Sequence, residues 1–302
     1  MLLLIGANIA GYHLISKKAI YKDYIIQEKK IQTSRSILLG DSHSNAIRQV
    51  DLDSIGIVNF SYDGDSYFDI LSKLEYVLAR NKPDTIYLCV DDHTLSRYRE
   101  SWMNKGRSIY YAPYSVYRDY YNYSRFWFAY KKYWQTHLPF FNTKNSKILG
   151  AYLLSGNKSQ SEHDYRNFNF GSVPKQDRMK RSESRIQTQF PSPESSVFLR
   201  RCLQEIIDKC QKNDIALIGL KFPLTSDYLQ YLGNQSYHAD TVLLSRGIAV
   251  WDFTYSMVNR DSLFRDQDHV NNIGSKVFIG LLEERISITQ RKEKISGSLP
   301  TR

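Results

Sequence analysis

Five short apolar runs alternate along this chain with stretches of helical periodicity, and that alternation limits the fold more than any other feature. The runs fall at 36–40 (Ser-Ile-Leu-Leu-Gly), 55–60, 85–90, 215–220 and 248–253, and glycine, proline or acidic residues close them. Each is too short for a helix and apolar enough to be buried on both faces, as strands of a parallel sheet are. Between them, Ser66 is placed as an N-cap, and apolar residues at 67, 68, 70, 71, 74, 77 and 78 share one side of a helix. Helices are likewise predicted over 17–31, 196–212, 240–246 and 272–288. The pattern predicts an α/β protein, a three-layer sandwich with a mainly parallel five-stranded sheet.

With 302 residues, the chain approaches the upper limit for one hydrophobic core. Its 42% hydrophobic and 24% charged content excludes a disordered chain and a multi-span membrane protein. The formal charge of +10 suits an anionic partner, although a solvated basic surface is the commoner cause. Three cysteines cannot all pair, and no CxxC or paired Cys/His spacing suggests structural zinc.

Three segments stand apart from the alternation. The first fifteen residues are apolar apart from Asn8 and His13 and run into Lys17-Lys18. They are short for a spanning helix and lack the basic start of a signal peptide, so a marginal anchor, the end of a longer span and a buried first helix all stay open. A long insertion, 97–195, separates the third strand from the fourth. Its first part is crowded with aromatics, including Tyr111, Tyr114, Trp127 and Trp134, interleaved with Arg and Lys. Helix packing, stacking on sugar rings and an interfacial membrane surface are its three readings; no recognition motif accompanies the charge to suggest nucleic acid. The polar stretch from about 155 to 195 reads as a long loop or lid. The layout is therefore 1–31 as an apolar segment and helix, 32–290 as the α/β domain with its insertion, and 291–302 as a polar tail.

Two motifs carry the chemistry. Gly40-Asp41-Ser42-His43 follows the first strand, where open α/β sheets place their sites. Asp266-Gln-Asp-His269 precedes the last helix, and an Asp three residues before a His can accept from its Nδ1–H and fix the tautomer. Each motif alone is more often a turn or a helix cap. Together they resemble the SGNH/GDSL hydrolase superfamily, whose flavodoxin-like sandwich the alternation over most of 36–288 also suits.

The resemblance implies Ser42 as nucleophile, His269 as general base and Asp266 as the group orienting it. It also implies the Ser42 and Gly64 amides as oxyanion donors, and no metal or cofactor. The chain departs from the family after its third strand, where the usual asparagine of the oxyanion hole is missing. Asp91, Asp92 and His93 stand there instead, and a carboxylate would repel an oxyanion, whereas His93 would donate if turned inward. This departure is similar to branches that move acyl groups onto cell-envelope polysaccharides. By that likeness the expectation is a serine esterase or O-acyltransferase acting on acyl, chiefly acetyl, groups of an envelope carbohydrate. Its partners would be a polysaccharide acceptor, a membrane acyl-donor protein and a membrane surface, and its place would be extracytoplasmic and membrane-associated. Tyr111 and Tyr114 are the candidate acceptor-binding residues. Two alternatives remain: a non-catalytic envelope or interaction protein of the same fold, and a two-metal phosphoesterase using Asp41, His43, Asp65, Asp92 and His93.

Overall fold

A computed structural model describes residues 22–100 and 165–297, together with Gly6. The apolar first segment and the aromatic part of the insertion, with Tyr111, Tyr114, Trp127 and Trp134, lie outside the described residues. Among those described, no helix is long and apolar enough to cross a membrane.

The strands are β1 (Ser36–Leu39), β2 (Ile57–Asn59), β3 (Thr85–Cys89), β4 (Ala216–Lys221) and β5 (Val250–Asp252). They pair in the order β2-β1-β3-β4-β5, every pair parallel. Alternate residues of each strand point to opposite faces. Ile37, Leu39, Ile86, Leu88 and Leu217 join one core with the helices Tyr67–Leu78, Val197–Lys212 and Ala239–Leu244. Leu38, Tyr87, Cys89, Leu220 and Trp251 face the other way, against Leu52, Phe278 and Leu282. Both faces are thus covered, which is why the strands read as unbroken apolar runs. All three cysteines are free and buried within these cores.

Two expectations are corrected. The polar stretch after 155 is not all loop, because Lys175–Gln189 is a fifteen-residue helix. Its sequence consists largely of good helix formers and lacks Gly and Pro. It buries Ser182, Ile186 and Gln189, and Arg178 anchors it to Asp227 at 2.7 Å and Asp261 at 3.3 Å. The last helix is also longer than its periodicity suggested. It spans Asn272–Gly297 and takes in part of the expected tail.

Because β1 and β3 are neighbours whose chains leave in opposite directions across the sheet, their carboxyl ends flank the crevice where such folds bind ligands. The segments after both ends carry buried polar residues, among them Asp41 and His43 after β1 and Asp91, His93 and Arg99 after β3.

Candidate active site

Gly40 lets the chain turn directly off β1. A Cβ there would lie 2.0 Å from Ser44 Oγ and 2.6 Å from Cys89 Cβ, so no larger residue fits without movement. The turn leads into a one-turn helix, Ser42–Asn45, which Asp41 caps by accepting from the His43 amide. Ser42 stands at its start, half-buried, and its Oγ makes no hydrogen bond among the described residues. Gly64 lies in the turn after β2, with φ at +79°. That turn is tied to the helix by Asn45 Nδ2, which donates to Asp63 Oδ1 at 2.8 Å.

The Asp266–His269 loop is held from both sides. Phe264 bridges Val270, and the Arg265 amide donates to the His269 carbonyl at 2.9 Å. Asn271 donates to the carbonyls of Phe168 and Ser262 and accepts from the amides of Ile273 and Gly274, capping the final helix. Within this frame Asp266 Oδ1 accepts from His269 Nδ1 at 2.8 Å and from the amide of the same residue. Asp268 Oδ1 lies 3.1 Å from the same ring nitrogen. Both carboxylates approach Nδ1, and Nε2 is buried with no hydrogen-bond partner among the described residues.

The structure therefore brings Asp266 and His269 together. It places Ser42 in the neighbouring segment, where the ring of His43 packs edge-on to that of His269 at 5.0 Å. No hydrogen bond joins Ser42 Oγ to His269 Nε2 among the described contacts. Such bonds are often open without substrate and tighten as the reaction complex forms.

Asp268, Arg185, Gln189 and Arg99, which the sequence did not single out, join Asp41, His43, Asp91 and His93 around this pair. His43 donates or accepts at Nδ1 with Asp91 Oδ2, 2.7 Å away, and at Nε2 with Asp268 Oδ2, 3.3 Å away. Asp268 Oδ2 also receives Arg185 Nε at 2.7 Å and Gln189 Nε2 at 3.0 Å, both from the helix expected to be loop. Asp41 Oδ2 is held by Arg99 Nη2 at 2.6 Å and His93 Nε2 at 3.1 Å. That contact commits Nε2 of His93 to Asp41. Both oxygens of Asp91 have partners within the protein, Oδ2 the His43 Nδ1 and Oδ1 the Phe222 amide, which donates at 2.7 Å.

Electrostatics follow from this pairing. Burial alone would raise the Asp41 carboxyl, but Arg99, His93 and His43 outweigh it and hold the group well below the usual range. Burial opposes charge on His43 too, yet Asp91 and Asp268 raise its pKa well above the ordinary 6.5. His93, for which burial dominates, is lowered. Burial would depress His269, and Asp266 and Asp268 reverse this and lift it above 6.5. A general base must be neutral to accept a proton. Ester kcat/KM is therefore expected to rise with pH through a midpoint above about 6.5. A profile already flat from pH ~5.5 upward would remove His269 from that role.

Two sets of donor atoms among the described residues lie within 4.8 Å of one another and could hold a metal: His43, Asp268 and His269, and Asp41, Cys89 and Asp91. Both already have cationic partners, Arg185 in the first and Arg99 in the second. The other carboxylates of a two-metal site are also taken, Asp65 by Lys73 and Asp92 by Lys221. This pairing weighs against the phosphoesterase alternative, because a ligand carboxylate would have to shed its cation.

No family model matches the chain, and no curated protein matches it. Solved structures do. One is a GDSL-like lipase from Bacteroides thetaiotaomicron, at 10% identity and a TM-score of 0.42, covering 90% of this chain and 98% of the other. A protein classed as an acylhydrolase from Bacteroides fragilis has the same identity and TM-score, covering 90% and 97%. A lipolytic protein classed in the G-D-S-L family, from Desulfitobacterium hafniense, has 11% identity and a TM-score of 0.40, covering 84% and 99%. At these values no residue's role is carried over from them.

Proposed function

We propose that this chain is an esterase-type enzyme working through an acyl-serine intermediate. The observation that carries the reading is His269. It is buried, its Nδ1 is fixed by Asp266, and its Nε2 is unpartnered beside the turn that bears Ser42. Ser42 Oγ attacks the ester carbonyl carbon while its proton passes to His269 Nε2. The Ser42 and Gly64 amides receive the developing oxyanion. As the tetrahedral adduct collapses, the C–O bond to the alcohol breaks and His269 returns the proton to the departing oxygen. A second hydroxyl, from water or a sugar, then attacks the acyl-serine by the same route in reverse.

The finer reading is transfer or removal of acetyl groups on an envelope carbohydrate, outside the cytoplasm and next to a membrane acyl donor. It is supported by the motif pattern and the apolar first segment. The test of the chemistry is a fluorophosphonate probe followed by peptide mass mapping. Label on Ser42, abolished in His269→Ala and unaffected by EDTA, is the expected result. Absence of label together with manganese-dependent hydrolysis of an aryl phosphate would establish the phosphoesterase instead. Transfer is tested separately, by following acetyl from an aryl acetate to an oligosaccharide in competition with water.

A further inference from the structure

Beside the candidate base lies a cavity of about 490 Å³ whose lining includes Arg181, Arg185, Arg265, Tyr165, Asp266 and His269. Among the described lining residues, three arginines meet one carboxylate. Arg185 is committed through Nε to Asp268. Asp266, the one carboxylate among the described lining residues, already accepts from His269 and from the Tyr165 hydroxyl at 2.8 Å. Arg265 is paired only loosely, with the same Asp266. It is only 6% exposed, lies over the Tyr165 ring with its central carbon 5.0 Å from the centroid, and its Nε is buried with no hydrogen-bond partner among the described residues. The nearest carboxylate oxygen, on Asp266, is 3.9 Å away. Arg181 precedes Arg185 by one helical turn, so both project from one face; it is exposed, with no partner among the described residues.

A guanidinium has five donors in a planar fork and does not lose its proton, so a buried one without hydrogen bonds is costly unless something fills the fork. The group that fits is an oxyanion with two oxygens in one plane, held bidentately. We propose that this cavity is an anion subsite, and that the ester processed at Ser42 carries a carboxylate or phosphate seated against Arg265 and Arg181. The inference rests on the serine-esterase reading for its substrate, though the anion site itself does not depend on it. It narrows the substrate from any acyl ester to an acidic one, such as an ester on a uronate-like or phosphate-bearing polymer. The contact of the Arg265 guanidinium with the Tyr165 ring restrains the fork, which favours a directional anion over a diffuse attraction.

The test compares acetyl esters matched in the leaving group: 4-acetoxybenzoate and 4-acetoxyphenyl phosphate against methyl 4-acetoxybenzoate. The wild-type protein is expected to prefer at least one charged ester by about tenfold or more in kcat/KM, a preference that added salt reduces. Arg265→Gln and Arg181→Ala should each pull the charged-to-neutral ratio back toward one. Arg181 is at the surface, so its variant keeps the test sound should Arg265→Gln fail to fold. Calorimetry with benzoate and phenyl phosphate on Ser42→Ala protein reads the subsite without catalysis. A carboxylate preference would indicate an acidic sugar, and a phosphate preference a phosphate-bearing polymer; either supports the subsite. No anion binding with a ratio of one in the wild type would overturn it while leaving the esterase intact. Anion binding unchanged in both arginine variants would overturn it as well. Ester turnover that survives Ser42→Ala would instead remove the serine reading, with the calorimetry still deciding the subsite.

Discussion

Ser42→Ala is expected to lower kcat on an aryl acetate by roughly 10⁴–10⁶-fold, to the residue of rate that oxyanion donors and binding supply alone. The magnitude follows from what is removed. Without Oγ there is no acyl-enzyme, and water must attack directly at a site arranged for a side-chain nucleophile. His269→Ala should cost a similar factor, and the double variant little more than either, because the two act on one proton. Thermal melts of Ser42→Ala should stay near wild type, since Oγ makes no hydrogen bond among the described residues that its loss would break. A variant that retains a tenth of the wild-type rate would sink the nucleophile assignment.

The strands were legible because a two-sided parallel sheet writes itself as apolar runs, and the helices packed on it write an apolar stripe. The Lys175–Gln189 helix was not, because only Ser182, Ile186 and Gln189 of its fifteen residues are buried and two of those are polar. The usable signal was its helix-forming composition after Pro174. At the site, Asp266 and His269 could be paired from their spacing of three. The partners of Asp268 could not: His43 is 225 positions away, Arg185 83 and Gln189 79. Contacts at such separation exist only once the sheet order is set. The surroundings of Asp91 were hidden for the same reason. Asp91 looked hostile to an oxyanion as an isolated carboxylate, but His43 and the Phe222 amide occupy its oxygens. The charge that the sequence places at the sheet edge is neutralised within the protein.

The largest stability effect is expected at Asp268, a residue adjacent to the assigned pair and different from it in what it holds. Its side chain is fully buried and serves His43, Arg185, Gln189 and the Nδ1 side of His269 at once. Asp268→Ala leaves a half-buried guanidinium and a buried imidazole without their shared anion, and breaking a buried pair on one side costs about 3–5 kcal/mol. Asp266 is different: its side chain is 18% exposed, water can reach it, and its work is to orient one ring. Asp266→Asn is therefore expected to lower kcat/KM with melting nearly unchanged, and by less than a lone orienting carboxylate would, because Asp268 also approaches Nδ1. Burial works against charge on Asp268, but Arg185 and His269 hold its pKa well below the usual range, so its contribution is present above about pH 4 and lost as acid protonates it. His43 is raised, so its contribution is full below about pH 6.5 and lost as pH climbs through its folded value. The stability gap between wild type and Asp268→Ala should accordingly be widest near pH ~5–6 and narrow toward both ends. Urea titrations across pH would read it directly. A gap below ~1 kcal/mol at every pH would mean that the buried network contributes no more than surface pairs do.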